Sequence, residues 1–139
     1  MTTERTLCVV KPNAVKDNNI GAIIKMLEDA GLKVVGLKMT RLSTDKVEAF
    51  YAEHVGKPFF DGLKEFMTSG KVVAMVLEGD DAIAVCRKVM GATNPEKADE
   101  GTIRKLYAAS MTENAVHGSD APESAAREIA FYFDNFSIL

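Results

Sequence analysis

Several polar side chains suited to handling phosphate groups fall within one stretch of this sequence. Residues 92–120 are rich in Gly, Asn, Asp, Thr and Ser, and two further cations, Lys11 and Arg87, stand at the ends of predicted elements. Arginine offers paired donors to phosphate oxygens, lysine a compact charge, and imidazole a nucleophile or a general base. The set indicates phosphoryl chemistry, although by residue type alone the histidine could be a surface residue and both arginines solvated helix residues. The candidate residues within 92–120 are Thr93, Arg104, Asn114, His117, Ser119 and Asp120.

Familiar nucleotide-binding motifs do not account for this set. Gly31 and Gly36 have the mutual spacing of a phosphate-binding loop, but Leu37 stands where that loop needs lysine, and no Gly-x-Gly-x-x-Gly occurs. Only residues 103–109 look helical between 92 and 120, so this part of the chain is predicted to be a long surface loop. Loops of that length in a compact domain are usually functional.

Four strands are predicted to position these side chains. Apolar, β-branched runs indicate strands over 6–11, 33–40 and 72–77, and Pro12 ends the first because it cannot donate to a sheet ladder. Ile129, Phe131 and Phe133 alternate, which predicts a last strand with Glu128 at its start. Lys11 thus stands at the C-terminal end of the first strand.

Helices are predicted between these strands. Apolar residues at helical spacing follow residue 20 and end at Gly31, and others follow a cap at Ser43 or Thr44, with a further short segment over 61–69. Another helix begins at Asp80 or Asp81 and stops before residue 91, and a short one is capped by Ser119 or Asp120. The predicted class is α/β (α+β): a ferredoxin-like βαββαβ fold, with a four-stranded antiparallel sheet and helices on one face.

Composition narrows the functional classes. The 139 residues favour a single domain over 1–139, and the formal net charge of -3 argues against a protein whose affinity comes from neutralising a nucleic-acid backbone. No signal peptide or membrane-spanning stretch is visible, so a cytoplasmic location is expected, with no membrane partner. Cys8 and Cys86 each lie in an apolar run and are expected to be buried, structural thiols.

The stretch Asn114-Ala-Val-His-Gly-Ser-Asp120 resembles the active-site signature of nucleoside diphosphate kinases, Asn-x-x-His-Gly-Ser-Asp. Further blocks are similar to that family and occur in its order, so the resemblance covers essentially the whole chain. The loop differs from the family pattern at Asp99-Glu100, where many members carry proline, and at Lys105-Leu106. The resemblance therefore does not determine how stiff this loop is or how the subunits assemble. The matching blocks are Lys11-Pro-Asn-Ala-Val15, Phe50-Tyr-Ala-Glu-His54, Lys57-Pro-Phe-Phe60, Gly101-Thr-Ile-Arg104 and Glu123-Ser-Ala-Ala-Arg-Glu-Ile129.

The resemblance implies a role for each candidate. His117 would receive the γ-phosphate of a nucleoside triphosphate through Nδ1, and Glu128 would hold and polarise the imidazole from its far side. Tyr51 and Ser119 would lie close to this nucleophile, while Asp120 would be mainly structural. The nucleotide contacts implied are Lys11 and Asn114 at the ribose 3′-hydroxyl, Lys11, Arg87, Thr93 and Arg104 at the phosphates, and Phe59 beneath the base.

The resemblance also implies ping-pong kinetics with nucleotides such as ATP and GDP, a Mg²⁺ ion held mainly by the nucleotide phosphates with no direct protein ligand predicted, and a homo-oligomer, either tetramer or hexamer, built from dimers. A ferredoxin-like binding module is the alternative class, since that fold also carries regulators and RNA-binding proteins. An RNA-binding version would show strand aromatics flanked by basic residues, and no such pattern is present. No nucleic acid is required as a partner.

Overall fold

A computed structural model describes residues 3–139 of the chain and contains four strands. All pairings are antiparallel, and the strand order is β2-β3-β1-β4. This order is that of a ferredoxin-like sheet, so the predicted fold class is confirmed. The strands are β1 (Thr3–Val10), β2 (Lys33–Arg41), β3 (Lys71–Asp80) and β4 (Val116–Gly118). The α-helices are α1 (Pro12–Lys16), α2 (Ile20–Asp29), α3 (Thr44–Phe50), α4 (Phe60–Thr68), α5 (Ala82–Met90), α6 (Ile103–Tyr107) and α7 (Pro122–Tyr132).

Helices cover both faces of the sheet, whereas helices on one face alone were expected. Alternation along β1 explains this, because Cys8 and Val10 belong to one buried cluster and Leu7 and Val9 to another. The crossover helices α2 and α5 pack on the first face. The helices α3, α4 and α7 supply the apolar side chains that cover the second.

The predicted fourth strand is wrong. Residues 129–132 continue α7, and the true fourth strand is β4, which lies inside the stretch expected to be a loop. The alternation of Ile129, Phe131 and Phe133 misled because Ala125, Glu128 and Tyr132 recur at helical spacing and bury one face of α7. Glu128 therefore projects from the middle of a helix.

The helix starts were predicted with mixed success. Ser43 caps α3, its Oγ accepting from the Lys46 amide at 3.3 Å. The N-cap position of α7 is Ala121, so neither Ser119 nor Asp120 caps that helix as expected. Asp120 instead accepts a 2.6 Å hydrogen bond from Ser124 Oγ, which itself accepts from the Ala121 amide. Across residues 3–139, every helix is too short or too polar to span a bilayer.

Candidate active site

The candidate nucleophile lies at the edge of the sheet between the two helical layers. His117 is the central residue of β4 and pairs with Val9 of β1. Lys11 directly follows β1, and its amide donates to the Ala115 carbonyl at 2.8 Å. Arg87 on α5 and Glu128 on α7 approach from opposite faces of the sheet. The antiparallel pairing of β4 with β1 therefore brings these separated residues together.

A carboxylate fixes the orientation of the His117 ring. Nε2 of His117 lies 2.8 Å from Glu128 Oε1, which also accepts a 2.8 Å hydrogen bond from Ser119 Oγ. Burial by itself would raise the pKa of Glu128, but the hydrogen bonds from His117 and Ser119 and the nearby Arg127 outweigh it and hold the pKa below its ordinary value. An ionised Glu128 accepts a hydrogen bond from Nε2–H, so the lone pair of neutral His117 lies on Nδ1.

Aromatic rings pack against the same imidazole. The Phe50 ring lies 5.3 Å from the His117 ring centroid at an interplanar angle of 75°, and the Tyr51 ring lies 6.2 Å away at 89°. Burial raises the pKa of the Tyr51 phenol, whose hydroxyl has no hydrogen-bond partner among residues 3–139. Tyr51 is thus a neutral, buried donor close to the histidine.

Lys11 is a buried cation without a carboxylate partner in the described part of the chain. Only 6% of the residue is exposed, and its Nζ donates to Asn114 Oδ1 at 2.8 Å. Burial, together with repulsion from Arg104, lowers the pKa of Lys11 from 10.5 to about 7. A negatively charged ligand in the neighbouring cleft would supply the opposite charge that this ammonium group has no partner for.

Arg104 is buried and ties together the segments around β4. Its guanidinium donates to the carbonyls of Gly91 at 3.2 Å, Asn114 at 3.3 Å and Val116 at 2.8 Å. Burial and the nearby Arg87 lower the pKa of Arg104 from its usual value. The solvated alternative is therefore excluded for Arg104, and its remaining N–H donors can serve a ligand.

Arg87 is exposed at the other side of β4, and one of its donors contacts the Gly118 carbonyl at 3.3 Å. Gly118 also packs closely against α5. A Cβ placed on Gly118 would overlap the sulfur of Met90 and meet Cys86 Sγ at 3.5 Å. Cys86 at that distance is in ordinary van der Waals contact, but Met90 is fully buried and would have to shift, so glycine is the residue that fits there without repacking.

A bilobed cleft opens over these groups. One lobe, of about 670 Å³, includes Phe50, Arg87, Asp120 and Glu128 in its lining, and the other, of about 540 Å³, includes Lys11 and Phe59. Phe59 is 52% exposed, so its ring is available to a ligand at the mouth of the second lobe. Both lobes share Tyr51, His54, Thr93, Arg104 and His117, which makes them parts of one depression.

All the candidate site residues lie at or directly behind this cleft. Ser119 is the one that does not line it, since it is buried and reaches the site through Glu128. His54, Leu63 and Met111 also line the cleft, although the residue pattern assigned them no role. Met111 had the clearest signal, an apolar side chain three residues before Asn114 in a polar loop. Its 59% exposure fits a position at the rim.

Two of the acidic groups at the cleft are already engaged, whereas Glu53 and Glu123 at its rim are exposed. Glu128 is bonded to His117 and Ser119, and Asp120 to Ser124. Among residues 3–139, no three His, Cys, Asp or Glu side chains lie close enough together to hold a metal ion. A divalent cation that enters with a phosphate ligand would still fit the open lobe lined by Arg87 and Asp120, since phosphate oxygens are suitable ligands for it.

Comparison with known proteins identifies the chain. A sequence model described as nucleoside diphosphate kinase matches residues 4–138. The nucleoside diphosphate kinase of Aquifex aeolicus superposes with a TM-score of 0.96 and 42% identity, over 99% of this chain and 100% of that one. The Halobacterium salinarum enzyme in complex with CDP superposes with a TM-score of 0.95 and 46% identity, over 99% of this chain and 92% of that one. The Encephalitozoon cuniculi enzyme superposes with a TM-score of 0.93 and 38% identity, over 98% of this chain and 92% of that one. The chain therefore belongs to the nucleoside diphosphate kinase family, whose members transfer the terminal phosphate of a nucleoside triphosphate to a nucleoside diphosphate.

Proposed function

We propose that the family reaction runs in this chain through a phosphohistidine at His117. The observation that carries this assignment is the 2.8 Å contact between Nε2 and Glu128, which leaves the Nδ1 lone pair free. Nδ1 attacks the γ-phosphorus of a nucleoside triphosphate, an N–P bond forms, and the bond to the β–γ bridging oxygen breaks. The nucleoside diphosphate leaves with that electron pair, and a second diphosphate takes the phosphate by the reverse route.

The cations around the cleft would stabilise the charge that spreads over the migrating phosphate. Lys11, Arg87 and Arg104 approach it from three different elements, and Thr93 adds a hydroxyl donor on the lining shared by both lobes. Phosphoryl transfer depends mostly on such positioning and charge stabilisation. In the same proposal Lys11 and Asn114, which bond to each other, hold the ribose 3′-hydroxyl, and Tyr51 and Ser119 support the histidine.

Members of the family use a divalent metal, and we assign Mg²⁺ to that role here. The nucleotide would carry the ion into the site, held by phosphate oxygens, where it neutralises phosphate charge. The protein's own part is then to bind and orient the phosphates through Lys11, Arg87 and Arg104. Asp120 faces the same lobe, but its 2.6 Å bond with Ser124 favours a structural role.

Phe59 would support the base by stacking. Replacing Phe59 with alanine is expected to raise KM about 10-fold for purine and pyrimidine diphosphates alike, because a stacking contact serves any base. The value of kcat should stay near that of the unmodified enzyme. Steady-state kinetics with ADP, GDP, CDP and UDP as acceptors would check this. A loss confined to one base would contradict the stacking role.

Lys11 makes nucleotide binding sensitive to pH. Since the pKa of Lys11 is about 7 in the free protein and 10.5 without the fold, the unfolded chain binds more protons between those values, and this residue makes folding more stable as pH rises through that window. A bound diphosphate favours the ammonium form. We therefore expect ADP binding at pH 8 to take up close to one proton at Lys11.

Calorimetric titration with ADP in buffers of different ionisation enthalpy would measure this uptake. Lys11→Gln should remove most of it, whereas Lys16→Gln, at an exposed position on α1, should leave it unchanged. Equal proton uptake by the enzyme and by Lys11→Gln would assign the proton to another group and contradict this prediction.

The remaining assignments concern the whole chain. We propose a single domain over residues 1–139 that works in the cytoplasm as a homo-oligomer, a tetramer or hexamer built from dimers. The exposed Leu37 and Met39 on the edge strand β2 support self-association, because they offer apolar area beside unpaired backbone groups. Mass measurement in solution would decide the number of subunits.

One assay separates an enzyme from a regulatory nucleotide binder on the same fold. ATP labelled at the γ-phosphate is mixed with GDP and the protein, and labelled GTP is followed with time. The proposed mechanism predicts GTP formation and an acid-labile label on the protein after incubation with ATP alone. A binder without phosphotransfer chemistry would produce neither.

A further inference from the structure

Phe50 makes contacts that the reaction as described above does not use. It is the last residue of α3, only 6% exposed, and its ring packs edge-to-face near the His117 imidazole at 5.3 Å and 75°. Phe50 has no polar group, so it cannot bind phosphate or transfer a proton. Its effect on the site must come from the shape and rigidity of its ring.

Three other rings hold Phe50 in place. Tyr51 lies 4.9 Å from it, Phe131 5.1 Å and Tyr132 5.4 Å between ring centroids, all in tilted or edge-to-face arrangements. Phe131 and Tyr132 belong to α7, the same helix that carries Glu128. The element that holds Nε2 by a hydrogen bond therefore also fixes the ring that packs against the imidazole.

One hydrogen bond restrains a histidine ring incompletely, because the ring can still tilt about the bonded nitrogen. A neighbouring ring that itself packs against three other rings limits that motion, and edge-to-face aromatic contacts have a preferred geometry that aliphatic contacts lack. We propose that Phe50 is a positioning residue for the phosphate-accepting histidine, which holds the His117 ring so that Nδ1 faces the incoming phosphate. This inference rests on the proposed role of His117.

Phe50→Leu tests the proposal, and Phe133→Leu is its matched control. Phe133 has the same exposure of 6%, lies in the same buried cluster and packs beside Gly36, in a strand that does not pair with β4. Phe50→Leu is expected to slow formation of the phosphoenzyme from ATP about 3- to 10-fold, which is the change in rate that the free energy of one edge-to-face aromatic pair corresponds to. The KM for nucleotide should change less than about twofold, because Phe50 is only 6% exposed and offers no polar group to a nucleotide. Phe133→Leu should leave both values near those of the unmodified enzyme.

Rapid-quench labelling with γ-labelled ATP measures the rate, and NMR relaxation of the His117 ring Cε1–H group measures the motion. The chain has two histidines, so the His117 signal is the one that disappears in His117→Ala. Greater ring motion in Phe50→Leu, but not in Phe133→Leu, is the expected signature. If Phe50→Leu is not folded at the assay temperature, Phe50→Met, which also removes the ring, replaces it.

The outcomes separate the two proposals. Failure of the unmodified protein to become labelled at His117 would rule out the proposed phosphohistidine mechanism. Rapid labelling of the unmodified protein, with Phe50→Leu equally fast and its imidazole equally rigid, would overturn the positioning role alone. Equal slowing in Phe50→Leu and Phe133→Leu would also overturn it, since the effect would then follow general loosening of the core.

Discussion

Replacing His117 with alanine is expected to reduce phosphate exchange between ATP and GDP by about four orders of magnitude or more, because the group that forms the covalent intermediate is gone. The γ-phosphate label on the protein should disappear completely. Binding of ADP should change little, since Lys11, Arg87 and Arg104 remain in place. The assay compares labelled GTP formed and acid-labile protein label at equal enzyme concentration.

His54 provides the matched control, because it is the chain's other histidine and lines both lobes of the cleft. His54→Ala should still take up label, even where its kinetics with nucleotide differ. Acid-labile label that persists in His117→Ala and vanishes in His54→Ala would transfer the nucleophile to position 54 and refute the mechanism.

Arg104→Lys is expected to have the second largest effect, on stability and on activity together. A lysine keeps the positive charge but cannot reach the carbonyls of Gly91, Asn114 and Val116 at once. Leaving buried carbonyls unsatisfied costs about 1–3 kcal/mol for each group, so the free energy of unfolding should fall by about 3 kcal/mol. Activity at a temperature where the variant is folded should fall about 100-fold, because the phosphate contact proposed for Arg104 would be lost.

Urea unfolding followed by circular dichroism would give the stability, and the ATP–GDP exchange assay the activity. Arg41→Lys is a suitable control, since Arg41 is exposed at the end of β2, and it should behave like the unmodified protein. An Arg104→Lys variant with unchanged stability would show that the three carbonyl contacts contribute little to holding β4.

Much of the fold was predictable because its elements carry regular apolar patterns. The strands over 6–11, 33–40 and 72–77 correspond to β1, β2 and β3, and the crossover helices were also expected. The fourth strand was misplaced because β4 has only three residues, too few to show a period. Its place in the sheet depends on pairing with β1, a contact between distant parts of the chain, and on the bonds that Arg104 makes to Asn114 and Val116.

The candidate residues could be identified from recognisable sequence motifs, but their arrangement in space could not be predicted from those motifs. Glu128 lies 11 residues from His117, and only the helical course of α7 brings its carboxylate to Nε2. The role inferred for Phe50 was also hidden, because a phenylalanine on the apolar side of a helix is usually an ordinary core residue. Its contact with His117 depends on how α3 packs beside α7.

The packing of Met90 against Gly118 shows that two residues of the motif around the nucleophile are required for different reasons. His117 is needed for the bond that its ring nitrogen can form, whereas Gly118 is favoured because a Cβ at that position would overlap the Met90 sulfur. Part of what makes this stretch recognisable is therefore steric rather than chemical. A redesigned enzyme with a smaller side chain at position 90 is expected to tolerate alanine beside the histidine and to keep the same reactivity.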